Sequence, residues 1–145
     1  MSFNETLKDL LIENNTNLKQ VCKSLNTKNS SYYKYFENIR PQVDSAVKLA
    51  NYFDCSLNYL MGIDDNKKDV SFHKYYNKDL FFERYTNLLK LNKTSHYKVS
   101  KIIGISQSTY YAYKKGSVPY MDILEKMARY FSCSIDYLVG RSDKL

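Results

Sequence analysis

This 145-residue chain has few of the residues from which metal sites are built. It contains two histidines, and its three cysteines, Cys22, Cys55 and Cys133, are an odd number without paired spacing. This pattern predicts no zinc site and no other bound metal. Cys55 and Cys133 both occur in the motif F-x-C-S, and we expect small buried thiols there, in a reducing cytoplasm.

Long apolar runs and catalytic motifs are missing as well. No stretch approaches the roughly 18 apolar residues that cross a bilayer, and residues 1–10 do not have the pattern of a secretion signal. A glycine-rich phosphate loop, a cysteine–histidine pair with a third group, and a carboxylate pair in a predicted cleft are all absent from the sequence. We therefore expect a cytoplasmic protein that is not an enzyme, without a cofactor, a small-molecule ligand or a membrane segment.

What the chain does contain is an internal duplication. The stretch "ANYFDCSLNYLMG" at 50–62 reappears as "ARYFSCSIDYLVG" at 128–140. Shifted by 78 positions, residues 3–62 and 81–140 align without a gap, and 23 of 60 positions are identical. The duplication predicts two small domains, at 1–63 and 79–145, joined by a linker at 64–78. With 43% hydrophobic residues, each half has enough apolar side chains for a small core.

Helical periodicity and capping residues predict five helices in the second repeat. Ser95 and Ser134 are expected to cap the second and fifth helices, and Gly104 to end the second in a left-handed conformation. Ser106 is expected to cap the third. The inner face of the second helix is assigned to Val99, Ile102 and Ile103. The five predicted helices span about 79–92, 96–103, 107–115, 121–131 and 135–140.

The first repeat follows the same plan, with residues that are less favourable at the ends of its helices. Asn26 replaces the stop glycine, because asparagine is the next best residue in a left-handed position. Lys28 occupies the cap position of the third helix, where it is a weaker choice than serine. The five predicted helices span about 3–14, 19–25, 29–38, 44–53 and 57–62. The sequence therefore predicts an all-α protein, with a helix-turn-helix in each repeat.

The segment "YKVSKIIGISQSTYYAYKKGSVPYMDILEKMARYFSCSIDYLVG" resembles the Cro and phage-repressor (XRE) helix-turn-helix family. The resemblance rests on one residue after the glycine, "SQST" opening the third helix, "KKG" closing it, a proline, and the ending "SCSIDYLVG". It implies two tandem five-helix repressor-like domains, each with its third helix in the major groove of DNA. The first domain is divergent at Asn26, Thr27 and Lys28.

Candidate DNA contacts follow from the third helix of the second repeat. Tyr110 and Tyr113 are three residues apart and are assigned inward as packing residues. The residues left facing outward can approach bases or phosphates, and Gln107 could pair bidentately with adenine. The expected contacts are Ser106, Gln107, Ser108, Tyr111, Ala112 and Lys115.

Charge supports a polyanionic partner, since the net charge of +7 is concentrated after residue 65. Residues 93–118 contain five lysines and no acid, which suits a phosphate-binding face. Lys114 and Lys115 could instead offset the helix dipole. His96 matches a family position, often glutamine, that contacts a phosphate; the alternative is an exposed histidine without a role.

The first repeat has the corresponding residues at the same shift. They are Lys28, Asn29, Ser30, Tyr33 and Lys34. Asn29 could still read adenine, so this domain either reads DNA with an altered preference or serves packing or dimerisation. The sequence as a whole predicts a double-stranded DNA-binding transcriptional regulator that acts as a repressor, and it is compatible with a homodimer. The alternative is a helical protein-interaction module or an antitoxin-like regulator.

Overall fold

The computed structural model describes residues 2–26, 32–37, 39–67 and 72–145, and within it the side chains of Tyr32 and Tyr33 are left out of the description. Over these ranges the chain forms ten α-helices, one short 3-10 helix and no β-strand. The predicted all-α fold is confirmed. The chain divides into two compact units, Met1–Asp69 and Val70–Leu145.

The described part of the first unit contains five helices packed around one apolar core. They are α1 (Phe3–Glu13), α2 (Leu18–Ser24), α3 (Tyr32–Phe36), α4 (Val43–Tyr52) and α5 (Leu57–Leu60). The core side chains come from every third or fourth position of α1 and α4, as amphipathic helices require. Phe3, Leu7 and Leu10 of α1 are completely buried, as are Ala46 and Ala50 of α4.

The second unit repeats this arrangement. A 3-10 turn at Lys78–Leu80 leads into α6 (Phe81–Leu91), which is followed by α7 (His96–Ile103), α8 (Thr109–Lys114), α9 (Met121–Phe131) and α10 (Ile135–Leu138). Its core is richer in aromatic rings. Tyr85 lies 5.7 Å from Phe81, 5.9 Å from Tyr113 and 6.2 Å from Phe131, measured between ring centroids. These contacts join α6, α8 and α9.

Left-handed backbone residues end helices at matching places in the two units. Asn15 and Lys93 follow the first helix of each unit, at φ 50° in both cases, and Asp54 and Ser132 follow the fourth, at φ 53° and 51°. Each pair is separated by the same 78 residues as the sequence repeat. These non-glycine residues adopt a conformation that costs roughly 1–2 kcal/mol each. The duplication therefore extends to the left-handed residues, called corners below, at which the backbone turns after these helices.

The predicted second-helix endings also agree with the structure. Asn26 has φ 58°, and Gly104 has φ 81°, so each takes the left-handed conformation expected of it. Ser95 accepts a hydrogen bond from the Lys98 amide at 3.3 Å, and Ser134 accepts one from the Tyr137 amide at 2.9 Å. Both predicted serine caps are confirmed.

Two predictions about the helices of the second unit are wrong. Ile102, expected on the inner face of α7, is 65% exposed, because Val99 and Ile103 already fill the side that faces the core. Ser106 does not cap the third helix, which begins at Thr109, after a turn at residues 107–108. The hydroxyl of Ser106 instead lies 2.8 Å from that of Ser108.

The three cysteines are reduced and buried, as predicted for Cys55 and Cys133. Burial raises the pKa of the Cys133 thiol to about 12, so the thiol stays protonated at neutral pH. No cluster of metal-ligating side chains occurs in the part of the chain that the structure describes. Among the same residues, no helix is both long and apolar enough to cross a membrane.

A buried ion pair closes the end of the second unit. Arg141 donates to Asp136 over 2.7 Å, and both side chains are completely buried. The Arg141 guanidinium also lies 4.2 Å from the ring centroid of Phe72. The backbone nearby is paired as well, since His73 donates to the Arg141 carbonyl and Asn77 to the Val139 carbonyl, each over 2.9 Å.

Parts of the predicted linker thus contact the units that they adjoin. Residues 72–77 lie along the end of the second unit, whereas the Lys67 carbonyl accepts from the Ser56 amide of the first, over 2.8 Å. Lys67 also forms a salt bridge with Glu13, which raises the pKa of the lysine through their hydrogen bond. The boundaries 1–63, 64–78 and 79–145 stay a prediction.

Candidate nucleic-acid interface

The second unit presents α7, a tight turn and α8 as one continuous surface feature. Gly104 ends α7 with its amide bonded to the Ser100 carbonyl over 2.9 Å, and the next amide, that of Ile105, reaches the same carbonyl over 3.0 Å. A side chain at Gly104 would meet no atom within 4 Å, so the backbone conformation alone makes glycine the favoured residue. This turn directs the chain from α7 into α8.

Two tyrosines fix the orientation of α8. Tyr113 is buried, with its ring 5.1 Å from that of Phe81, and burial raises the pKa of its hydroxyl. Tyr110 packs at 5.3 Å from Phe82 and at 5.4 Å from His96. Both tyrosines point inward, as predicted from their spacing. The remaining face of α8 is consequently presented to solvent.

The predicted DNA contacts of the second unit are gathered on that exposed face and in the turn before it. Tyr111 is 68% exposed, at the centre of α8. All the other predicted contacts from 106 to 115 are exposed too; they are Ser106, Gln107, Ser108, Ala112 and Lys115. The structure thus brings together hydrogen-bonding, aromatic and cationic side chains along one short helix and its N-terminal turn.

The side chain of Gln107 is held from behind by α7. Its Nε2 donates to the Ser100 hydroxyl and lies 3.5 Å from the Tyr97 carbonyl. The Ser100 hydroxyl donates in turn to the Tyr97 carbonyl over 2.9 Å, so it accepts from Gln107. Nε2 carries two protons, so Gln107 could keep its bond to Ser100 while its second N–H and Oε1 pair with adenine.

His96 does not match the expectation of an exposed side chain. It is buried, with Nδ1 2.7 Å from the Tyr85 hydroxyl and Nε2 3.1 Å from the Thr109 hydroxyl. The expectation of an exposed histidine failed because the residue after a helix cap can point either way, and the aromatic core draws this ring inward. Both ring nitrogens are occupied inside the protein, which leaves neither available for a phosphate.

The segment that forms α7, the turn and α8 is positively charged. The five lysines of segment 93–118 are all exposed, and the segment contains no acidic residue; they are Lys93, Lys98, Lys101, Lys114 and Lys115. The ammonium group of Lys101 lies 4.3 Å from the ring centroid of Tyr97, itself 54% exposed. Cations and aromatic rings of this kind suit a polyanion with stacked bases.

The first unit is described over part of the corresponding surface. Lys34 is exposed on α3, and Tyr35 packs inward at 5.9 Å from Phe3, as Tyr113 does against Phe81. Tyr33 lies on α3 without a described side chain. The predicted contacts Lys28, Asn29 and Ser30 lie outside the described residues.

Sequence patterns missed the residues that support this face. Ser100 is buried on the inner side of α7, and Thr109 opens α8 with its hydroxyl bonded to the Ser106 carbonyl over 2.7 Å. The sequence feature that could have identified them is a polar residue at a helix position where an apolar one is expected. Ser100 lies seven residues before Gln107, and Thr109 lies two residues after it.

The family comparison accounts for both units. A helix-turn-helix family model matches residues 7–60 and again 87–138. No curated protein and no solved structure matches the chain. The two matches cover most of the chain, contain α7, the turn and α8 in the second unit, and agree with the tandem arrangement of the fold. The protein therefore belongs to the XRE-type helix-turn-helix family of DNA-binding regulators, as a tandem pair of such domains.

Proposed function

We propose that this protein is a sequence-specific transcriptional regulator that binds double-stranded DNA and acts as a repressor. In this proposal, α8 of the second unit enters the major groove. The observation that carries the proposal is the exposed surface formed by the 106–115 contacts, in a segment, 93–118, that contains five exposed lysines and no acidic residue. Binding alone can block access to a promoter, so a repressor of this kind would not need catalysis.

The physical basis is a division of labour on that face. Lysine ammonium groups near phosphates release condensed counterions, which supplies affinity without sequence preference. Gln107, Ser108 and Tyr111 lie at the start and centre of the exposed face, where hydrogen bonds and apolar contacts to base edges would supply the preference. We propose a cytoplasmic location, where such a regulator would meet its DNA.

The test of this function is selection of bound duplexes from a random pool, followed by binding to the selected site and to a scrambled duplex. Enrichment of one sequence motif supports the proposal. Retention on heparin without enrichment of any motif would contradict sequence-specific reading. Failure to bind either heparin or duplex DNA at moderate salt would instead favour a protein-interaction module or an antitoxin-like regulator.

Gln107→Ala and Lys115→Ala should separate base reading from phosphate binding. Gln107→Ala is expected to weaken binding to the selected site by about 1–3 kcal/mol and to leave the scrambled duplex almost unaffected, because it removes one base contact. Lys115→Ala is expected to weaken both alike and to lower the slope of log affinity against log salt by about one unit. The measurement is a binding titration across a salt series.

Lys90→Ala serves as the matched control, because Lys90 is an exposed lysine at the end of α6, outside segment 93–118. It should leave affinity and salt slope almost unchanged. All three variants should melt at nearly the wild-type temperature, since the side chains are exposed. Equal losses on both duplexes for Gln107→Ala would remove this residue from the reading surface.

We also propose that the first unit reads DNA with a different preference, so that a single chain recognises two unlike half-sites. This proposal is supported by Lys34, exposed where the second unit has Ala112, and by Asn29 in place of Gln107. A footprint of a 1:1 complex should protect two half-sites, and Asn29→Ala should weaken protection at only one of them. Protection of one half-site by each chain, with two chains per operator, would favour a homodimer.

A further inference from the structure

His96 lies at a junction of three helices in the second unit. Its ring is between Tyr85 of α6 and Thr109 of α8, while its own backbone opens α7. Tyr85 is completely buried, and burial raises the pKa of its hydroxyl well above the ordinary value, so the phenol keeps its proton. The imidazole therefore joins the core to the first residue of α8 through two side-chain hydrogen bonds.

The direction of each hydrogen bond follows from counting protons. The Thr109 hydroxyl has one proton and donates it to the Ser106 carbonyl over 2.7 Å. It therefore accepts from His96 Nε2, 3.1 Å away, which must carry a proton. In the neutral ring Nδ1 is then unprotonated and accepts from the Tyr85 hydroxyl over 2.7 Å. The result is one directed chain, from Tyr85 through His96 and Thr109 to the Ser106 carbonyl.

We propose that His96 is a positioning residue for DNA reading, which holds the turn before α8 in register and contacts no DNA itself. The chain of hydrogen bonds ends at the carbonyl immediately before Gln107, the residue proposed to read a base. A shift of this turn would move Gln107 and Ser108 relative to the lysines. The inference rests on the proposed function and adds to it a buried determinant of specificity.

The first unit supplies an internal comparison. At the positions that correspond to Tyr85 and His96 it has Leu7 and Leu18, both buried. Two leucines can donate and accept nothing, so this chain of hydrogen bonds cannot form there. The same fold is therefore built without it. Packing alone does not require a tyrosine–histidine pair at this junction, which favours a role particular to the second unit.

The protonation pattern can be measured directly by ¹⁵N spectroscopy of the histidine rings. His96 should be the neutral tautomer with the proton on Nε2, both with and without DNA. The chain has one other histidine, His73, which is exposed, and His73→Gln assigns the remaining signal to His96. A proton on Nδ1 at neutral pH, in the Nδ1–H tautomer or in the doubly protonated ring, would overturn the directed chain of hydrogen bonds.

The functional test compares two variants and one control variant for their binding to the selected and scrambled duplexes. Thr109→Val and Tyr85→Phe each remove one hydroxyl of the chain with little change of shape, and each should lower the ratio of the two affinities about three- to tenfold, the measure of one ordinary hydrogen bond. The salt slope should not change, because no cation is lost. Tyr85 is completely buried, so its effect cannot come from a lost DNA contact.

Thr86→Val is the matched control. The Thr86 hydroxyl donates to the carbonyl three residues earlier, that of Glu83, over 2.9 Å, as Thr109 does to Ser106, but it lies on α6. It should leave the affinity ratio unchanged. If Thr109→Val and Tyr85→Phe lower only the melting temperature and keep the wild-type ratio, His96 has a structural role and the proposal is wrong. If the wild-type protein binds the selected and scrambled duplexes equally well, the proposed function fails. The tautomer measurement still decides whether the chain of hydrogen bonds through His96 exists.

Discussion

Arg141→Ile should lower the free energy of unfolding of the second unit by about 3–5 kcal/mol, because it leaves the buried carboxylate of Asp136 without its cation. Both side chains of this pair are completely buried, 2.7 Å apart. Hydrogen exchange read by mass spectrometry would report this, since peptides from α6 to α10 follow the second unit separately. Peptides of the first unit should keep their wild-type protection.

The first unit provides the control for this substitution. It has Asn58 and Ile63 where the second unit has Asp136 and Arg141, and the amide of Ile63 still bonds to the Asn58 carbonyl over 2.8 Å. The double variant Asp136→Asn with Arg141→Ile should therefore regain much of the lost stability, because no charge is left buried alone. Equal losses in the single and double variants would mean that packing of the arginine, and not its charge, stabilises this end of the unit.

Gly140→Ala should destabilise the second unit by about 2–5 kcal/mol. Gly140 has φ +74°, which costs an alanine roughly 1–2 kcal/mol. A Cβ here would also lie 2.6 Å from the carbonyl oxygen and 2.9 Å from the amide nitrogen of Asn77. Both are backbone atoms, so the chain itself must move, at a further cost of about 1–3 kcal/mol. Urea unfolding, with hydrogen exchange to identify the unit, would measure the loss.

Gly104→Ala separates the two contributions. Gly104 is also left-handed, at φ +81°, but a Cβ there would meet nothing within 4 Å. We expect this variant to lose only the conformational part, about 1–2 kcal/mol. The difference between the two alanine variants then measures the close approach of Asn77. Similar losses in both would show that residues 76–78 can move aside at little cost.

Local signals in the sequence predicted most of the fold. Serine caps at Ser95 and Ser134 and the stop at Gly104 depend on the chemistry of one or two neighbouring residues, and the structure has all three. The repeat then extended this plan to the first unit, where Asn26 takes the left-handed conformation in place of glycine. The inward tyrosines of α8 followed from spacing alone.

The errors concern positions where neighbouring residues are equally suited to one role and only tertiary packing selects between them. Ile102 and Ile103 are adjacent isoleucines on α7, and periodicity does not say which of them meets the core. Three hydroxyl residues, Ser106, Ser108 and Thr109, compete to begin the third helix.

Long-range pairs were also invisible to sequence patterns. Arg141 and Phe72 are far apart in sequence, and a charged residue near the end of a domain usually lies in water. The inward turn of His96 depends on Tyr85, eleven residues before it.

The matched left-handed corners have a consequence for how the two units could be recombined. Because Asn15 and Lys93, and likewise Asp54 and Ser132, turn the chain in the same way after equivalent helices, a cut at one corner has a geometric counterpart in the other unit. Segments between such corners are therefore natural units for building chimaeras. In a tandem protein of this kind, surface sequences could be exchanged between the two units while the left-handed residues after the helices are kept.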